Sequence, residues 1–177
     1  YGSTGITPEE LEKFRIGEER GYQSFNWKDF IVKGNAPLTS INLSATGGSE
    51  NINYYVSGTH LNQQAVFGDE FTFKRTNIQS NIDANITDRL KIGVQINGRV
   101  ETRKNPGIPG YDDYWLPRFA ILRNRPFERP YANDNPEYLN NIGHNETNWA
   151  LHNFETGGYY EENWRQLQAN FTAEYQI

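Results

Sequence analysis

The sequence predicts an all-β fold: a segment of an antiparallel transmembrane β-barrel, about five strands with long extracellular loops. Three observations predict it. First, Lys74–Ile86 and Lys91–Arg103 alternate strictly around Thr87-Asp88-Arg89-Leu90, with Ile78, Ile82, Ile86, Ile92, Val94, Ile96 and Val100 on one parity. The other parity carries Asn77, Gln79, Asn81, Asp83, Asn85, Gln95, Asn97, Arg99 and Glu101, the period-two signature of strands with one apolar face. Second, each segment runs about a dozen residues, long for a soluble strand but right for one crossing a membrane at a tilt. Third, the polar face is rich in Asn and Gln rather than Lys and Glu, which suits a water-filled lumen.

A helical reading fails on composition. Ile78, Ile82 and Ile86 are also four apart, but Val94 would leave the apolar stripe, and β-branched residues, Asn, Gly93 and Gly98 disfavour a helix.

Taken in order, Thr7-Pro8-Glu9-Glu10 reads as a helix start, with Thr7 as N-cap, Pro8 at the first helical position and Glu10 closing a capping box. The helix runs to about Ile16 and is broken by Gly17 and Gly21. Tyr22, Phe25, Trp27 and Phe30 follow, and residues 1–38 are expected as a helix-and-loop connector ending at Pro37. Residues 39–177 are expected as the barrel strands with their loops. Ile41, Leu43 and Ala45 alternate with Asn42, Ser44 and Thr46, and Gly47–Asn51 forms a turn whose glycines take positive φ. Ile52, Tyr54, Val56 and Gly58 carry the next apolar face, and Gln63–Phe73 is a longer connection before the Lys74–Arg103 pair. Residues 104–163 hold six of the eight prolines and form a long loop with a short helix within Tyr111–Leu122. From Trp164, Leu167, Ala169, Phe171, Ala173, Tyr175 and Ile177 alternate with Gln166, Gln168, Asn170, Thr172, Glu174 and Gln176. The connections thus alternate short, longer, short and very long, as in barrels with tight turns on one edge and loops on the other.

Composition narrows the function classes. The chain has 177 residues, no Met and no Cys, and opens on Tyr-Gly-Ser. The missing initiator and leader are expected of a mature or truncated piece, and the missing cysteines exclude disulfides and thiolate metal sites. A net charge of −5 and pI near 5.3 argue against general nucleic-acid binding. No apolar run approaches the roughly 18 residues of a membrane helix, whereas a mean hydropathy of −0.82 is compatible with barrel strands that turn only alternate residues to lipid. Five strands leave open edges that cannot sit in lipid, so further strands are expected outside this stretch.

At this point the sequence resembles the SusC/RagA-type TonB-dependent transporters of the bacterial outer membrane. The resemblance rests on Asn42-Leu43-Ser44-Ala45-Thr46-Gly47-Gly48-Ser49-Glu50 followed by Asn53-Tyr54-Tyr55-Val56-Ser57, on Phe73-Lys74-Arg75, on Asn81-Ile82-Asp83, and on Ile86-Thr87-Asp88-Arg89-Leu90-Lys91-Ile92-Gly93. It continues in Arg125-Pro126-Phe127 with Tyr131 and in Leu167-Gln168-Ala169-Asn170-Phe171 ending in Glu174-Tyr175. The resemblance implies a 22-stranded barrel with an N-terminal plug that imports oligosaccharides or peptides, energised by TonB and capped by a SusD-like surface lipoprotein. Neither the plug nor a TonB-contacting segment is recognisable, so TonB would be met through a region absent from this piece.

Candidate sites follow from the long loop and the polar face. Tyr111, Tyr114, Trp115 and Trp149 are placed to stack on a sugar or pack a peptide, with Arg118, Arg123, Arg125 and Arg129 available to acidic groups. Against this stands the reading that the aromatics fold the loop on itself or meet a lid. Asp112-Asp113, Asn133-Asp134-Asn135 and Glu161-Glu162 lack the spacing of a calcium loop and read as solvated charge. His60, His144 and His152 lack zinc-site spacing, so neither a metal nor a cofactor is expected. No framed carboxylate pair supports glycoside hydrolysis, and no enzyme activity is expected. Of the four Asn-x-Ser/Thr sequons, at Asn42, Asn85, Asn145 and Asn170, three fall on strands, where Asn and Thr alternate by period. The alternative from another class is a soluble secreted β-sandwich that binds carbohydrate, its apolar face buried on a second sheet.

Overall fold

A computed structural model describes residues 5–107 and 115–177. The described chain divides into two compact units, Tyr1–Gly34 with Pro106–Tyr159, and Asn35–Asn105 with Tyr160–Ile177.

The second unit is a five-stranded sheet in sequence order, β1 (Leu38–Gly48), β2 (Ile52–Ala65), β3 (Gly68–Thr87), β4 (Leu90–Pro106) and β5 (Tyr159–Tyr175). Its first four strands are antiparallel hairpin neighbours. Hydrogen bonds from Gln176 to Arg89, Thr172 to Gly93 and Thr102 to Asn163 extend the antiparallel register to β5. At 20 residues for β3 and 17 for β4 and β5, the strands are longer than the alternation alone marks out. The Thr87–Leu90 turn is as expected, with Thr87 Oγ1 accepting from the backbone of Arg89 and Leu90 at 3.3 and 3.0 Å.

Two expectations need correction. Gln63–Phe73 is not a longer loop: β2 continues to Ala65 and β3 begins at Gly68, so only Val66-Phe67 links them. The strands go on pairing, Gln63 opposite Phe73 and Gln64 opposite Thr72, before a register shift at Ala65. The connections are therefore tight at three places, and only 107–158 is long. Gly47 and Gly48 do not take positive φ either, since both lie in β1. At Gly47 the requirement is space, because a Cβ there would stand 2.5 Å from Tyr54 Oη and 2.7 Å from its Cζ. Tyr54 is the cross-strand partner of Gly47, and its ring lies over the glycine as aromatic residues do on sheet glycines.

The first unit begins with α1 (Pro8–Ile16), which has the expected capping box between Thr7 and Glu10 and ends at Gly17 in the left-handed region, φ 66°. It continues with α2 (Trp27–Ile31), α3 (Trp115–Arg123), three single-turn 3₁₀ segments and the short α4 (Phe154–Gly157). Its core holds Trp27, Ile31, Leu116, Ala120, Ile142, Trp149 and Ala150. Residues 104–163 are thus largely a folded body with the N-terminal segment as part of it. Phe25 N donates to Pro126 O at 2.6 Å, Trp27 Nε1 to Arg125 O at 3.2 Å and Arg129 Nη2 to Gln23 Oε1 at 3.0 Å. Buried Asn148 donates to Pro130 O and Asn140 O at 2.9 and 3.0 Å and accepts from Ala150 N at 3.2 Å, which satisfies most of a polar side chain that burial would otherwise penalise.

Candidate functional site

The sheet's register sorts its side chains into two faces of opposite chemistry. Cross-strand rows on one face read Leu43, Gly58, Ile78 and Gly98, then Ala45, Val56, Ser80 and Ile96, then Gly47, Tyr54, Ile82 and Val94. Leu167, Ala169, Phe171, Ala173 and Tyr175 continue this face on β5, the Gly93–Thr172 contact having fixed the opposite parity. This face is bare: Leu43 is 74% exposed, Leu167 76% and Phe171 74%. It turns polar where Lys74 pairs with Thr102 and Thr102 Oγ1 meets Asn163 Oδ1 at 2.8 Å. From Val100 to Leu90 the apolar stretch measures about 34 Å along the strand at ~3.4 Å per residue, or about 26 Å in depth at a tilt near 40°, close to the ~25 Å band of an outer-membrane barrel.

The opposite face carries the residues expected to face a lumen. Asn77 pairs with Arg99, Gln79 with Asn97 and Asn81 with Gln95, while Asp83, Asn85, Lys91 and Glu101 share their parity. Asn42, Ser44 and Thr46 of β1 and Tyr55, Ser57 and Thr59 of β2 join them. A concavity of about 460 Å³ lies on this face, lined among others by Asn42, Tyr55, Ser57, Asn77, Gln79, Asn97, Arg99, Gln166 and Gln168. Neutral amides and hydroxyls offer both donors and acceptors, so the surface can hydrogen-bond to a polyhydroxylated or amide-bearing molecule.

One charged cluster interrupts it. Glu101, 9% exposed, accepts from Arg99 Nη2 at 2.5 Å and has Arg75 Nη1 at 3.9 Å. The Arg99 guanidinium also lies 5.9 Å from the ring centre of Trp164. Sequence reasoning singled out Arg99 and Glu101 but not Arg75 or Trp164 as site residues. Extending the parity of Asn77 by one more step reaches Arg75, so the signal was present.

Of the residues expected to bind substrate from the long loop, Tyr111 and Tyr114 lie outside the described residues, as do Asp112 and Asp113. Trp115 opens α3 with its ring exposed, stacked on Phe119 at 5.7 Å, with the Arg118 guanidinium 5.2 Å from its centre. Trp149 is corrected: at 5% exposure it packs against His152 at 5.1 Å in the unit's core, so no open ring face remains for stacking. His152 is itself buried, and burial pushes its pKa below the ordinary value. Its Nε2 lies 3.1 Å from Glu146 O, and its Nδ1 has no partner. Among the described residues no group of three metal-ligating side chains converges.

Comparison with known proteins gives two partial matches. No protein-family model matches the chain. It is 33% identical over 90 residues to TonB-dependent receptor P26 of Formosa agariphila, a match covering 51% of this chain and 9% of that receptor. It is 29% identical over 165 residues to TonB-dependent receptor P3 of the same organism, covering 89% of this chain and 16% of that receptor. The chain matches a segment of TonB-dependent receptors. It spans less than a fifth of the length of these curated relatives, and its five-stranded antiparallel sheet fits a segment of such a receptor's β-barrel.

Proposed function

We propose that the chain is part of the barrel of an outer-membrane, TonB-dependent nutrient importer of SusC/RagA type, taking up an oligosaccharide or peptide beneath a SusD-like lipoprotein. The observation that carries the reading is the bare apolar face backed by an amide-lined one. In water that apolar face would be an aggregation surface, whereas in a bilayer it is the lipid contact, and the other face borders a polar passage. TonB would act through a region outside this stretch, and Trp115 and Arg118, together with Tyr111 and Tyr114, would meet substrate or lid.

The test is made in the complete receptor that carries residues 1–177, folded in lipid. A fluorophore attached at position 82 is expected to be quenched by brominated lipid, and one at position 81 by an aqueous quencher alone. Aqueous quenching at both positions would overturn the barrel reading. Loss of uptake on deleting TonB is expected of the same receptor.

A further inference from the structure

The charged cluster on the polar face has a surplus that its internal pairing does not remove. Arg75 faces Glu101 across the β3–β4 ladder and Arg99 lies two residues along the same face, so one carboxylate serves two guanidiniums. A guanidinium presents five N–H donors, and the Nε atoms of both arginines are buried without a partner. Both side chains nevertheless remain part-exposed, 37% for Arg75 and 43% for Arg99. Their neighbours on the face, Thr59, Leu61, Asn77 and Gln166, are uncharged, and Arg103 and Glu162 one row further are of opposite sign.

Beside this surplus charge stands an aromatic plane. Trp164 is 55% exposed, with the Arg99 guanidinium beside its ring. The adjoining concavity presents Asn42, Asn77, Asn97, Gln166 and Gln168. An aromatic plane suits the apolar face of a pyranose ring, amides suit its hydroxyls, and a guanidinium fork matches a carboxylate or sulfate oxygen pair. We infer that Arg75, Arg99 and Trp164 form a subsite for an anionic sugar unit, carboxylated or sulfated, of the imported oligomer, with Glu101 offsetting part of the charge of the two arginines. This rests on the importer reading and goes beyond it by assigning the charge of the substrate.

The decisive comparison uses two substitutions that break the same ion pair. In the complete receptor, binding is measured calorimetrically for a galacturonic acid oligomer, its fully methyl-esterified form, a sulfated galactan oligomer and its desulfated form. The wild type is expected to bind at least one charged oligomer about tenfold more tightly than its neutral counterpart. Arg99→Gln and Arg75→Gln are each expected to weaken the charged ligand about tenfold and leave the neutral one unchanged, while Glu101→Gln tightens the charged ligand. A purely structural ion pair would move Arg99→Gln and Glu101→Gln in the same direction, and that result overturns the inference. So does binding of neither charged oligomer, equal binding of charged and neutral forms, or Arg99-dependent binding of an acidic peptide alone. Lipid quenching at position 82 in the same preparations tells failure of this inference from failure of the barrel reading.

Discussion

Placing an arginine at Ile82 or at its neighbour Asn81 separates a lipid-facing surface from a lumenal one with the smallest possible change of position. Ile82 sits four residues from Ile78 and four from Ile86 on β3. At ~3.4 Å per residue and a tilt near 40°, that puts it about 10 Å in depth from either neighbour, at the middle of the apolar band. Its row partners are Tyr54 and Val94, neither able to shield a guanidinium. Ile82→Arg is expected to destabilise the folded receptor by about 2–4 kcal/mol, and Ile86→Arg, near the band's edge, by about 0–1 kcal/mol. Asn81→Arg, between Tyr55 and Gln95, enters the polar face and is expected to stay within about 0.5 kcal/mol.

The assay is reversible denaturant unfolding of the complete receptor from phospholipid bilayers, followed by tryptophan fluorescence and by heat-modifiable electrophoretic mobility. At ~1.4 kcal/mol per decade, 2–4 kcal/mol is a shift of roughly thirty- to several-hundred-fold in the folding equilibrium, well outside experimental scatter. Equal costs at 81 and 82 would refute the two-faced reading. Equal costs at 82 and 86 would refute the bilayer and favour a sandwich, because burial on a second sheet has no depth profile centred on Ile82.

Three further outcomes are expected. Gly47→Val drives a side chain into Tyr54 and should cost about 1–3 kcal/mol, largely relieved when Tyr54→Ala accompanies it, as read by the same unfolding curves. Trp27→Ala removes a buried indole that packs on Phe25 and Phe30 at 5.1 and 6.0 Å and donates to Arg125 O. A loss of about 3–5 kcal/mol should appear as faster amide exchange over residues 125–134, with the β2–β3 ladder unchanged. His152 is held neutral by burial, so the unfolded chain takes up its proton first as pH falls. The stability this contributes is complete above the ordinary value of 6.5 and is lost between there and the lowered folded value. Amide exchange over residues 144–152 should accelerate on acidification across that window. His152→Asn should flatten the response.

How much of this was legible in the sequence depends on what writes the pattern. Between Asn77 and Glu101 each strand has one wet face and one apolar face, and the alternation states both the strand and its parity; the Lys74–Arg103 pairing came from that alone. Past Lys74 polar and apolar residues mix on one parity, Asp69 with Phe71 and Phe73, while Glu70 and Thr72 hold the other, so the contrast between faces is lost. A backbone ladder needs no particular side chains, so the same strands run on unmarked, and Gln63–Phe73 reads as a loop. The capping box of α1 was legible because Thr7, Pro8 and Glu10 act on neighbours three residues away. The seating of Phe25 and Trp27 on Pro126 and Arg125 spans about a hundred residues and leaves no local period, so neither it nor the burial of Trp149 could be read in advance.

The chemistry of the polar face follows from the same division. Its central rows, Ser44, Ser57, Gln79 and Asn97, then Thr46, Tyr55, Asn81 and Gln95, carry no charge. Charges stand at the two ends, Arg75, Arg99 and Arg103 against Glu101 and Glu162 toward the long loop, and Asp83, Lys91 and Glu174 toward the turns. A guanidinium at mid-passage would hold an anionic substrate as firmly as it captured it, whereas amides bind weakly at many equivalent places and let a molecule move on. Under the proposed importer reading, surplus positive charge at the loop end with neutral amides beyond it would favour capture of an anionic oligomer at entry and low retention along the path.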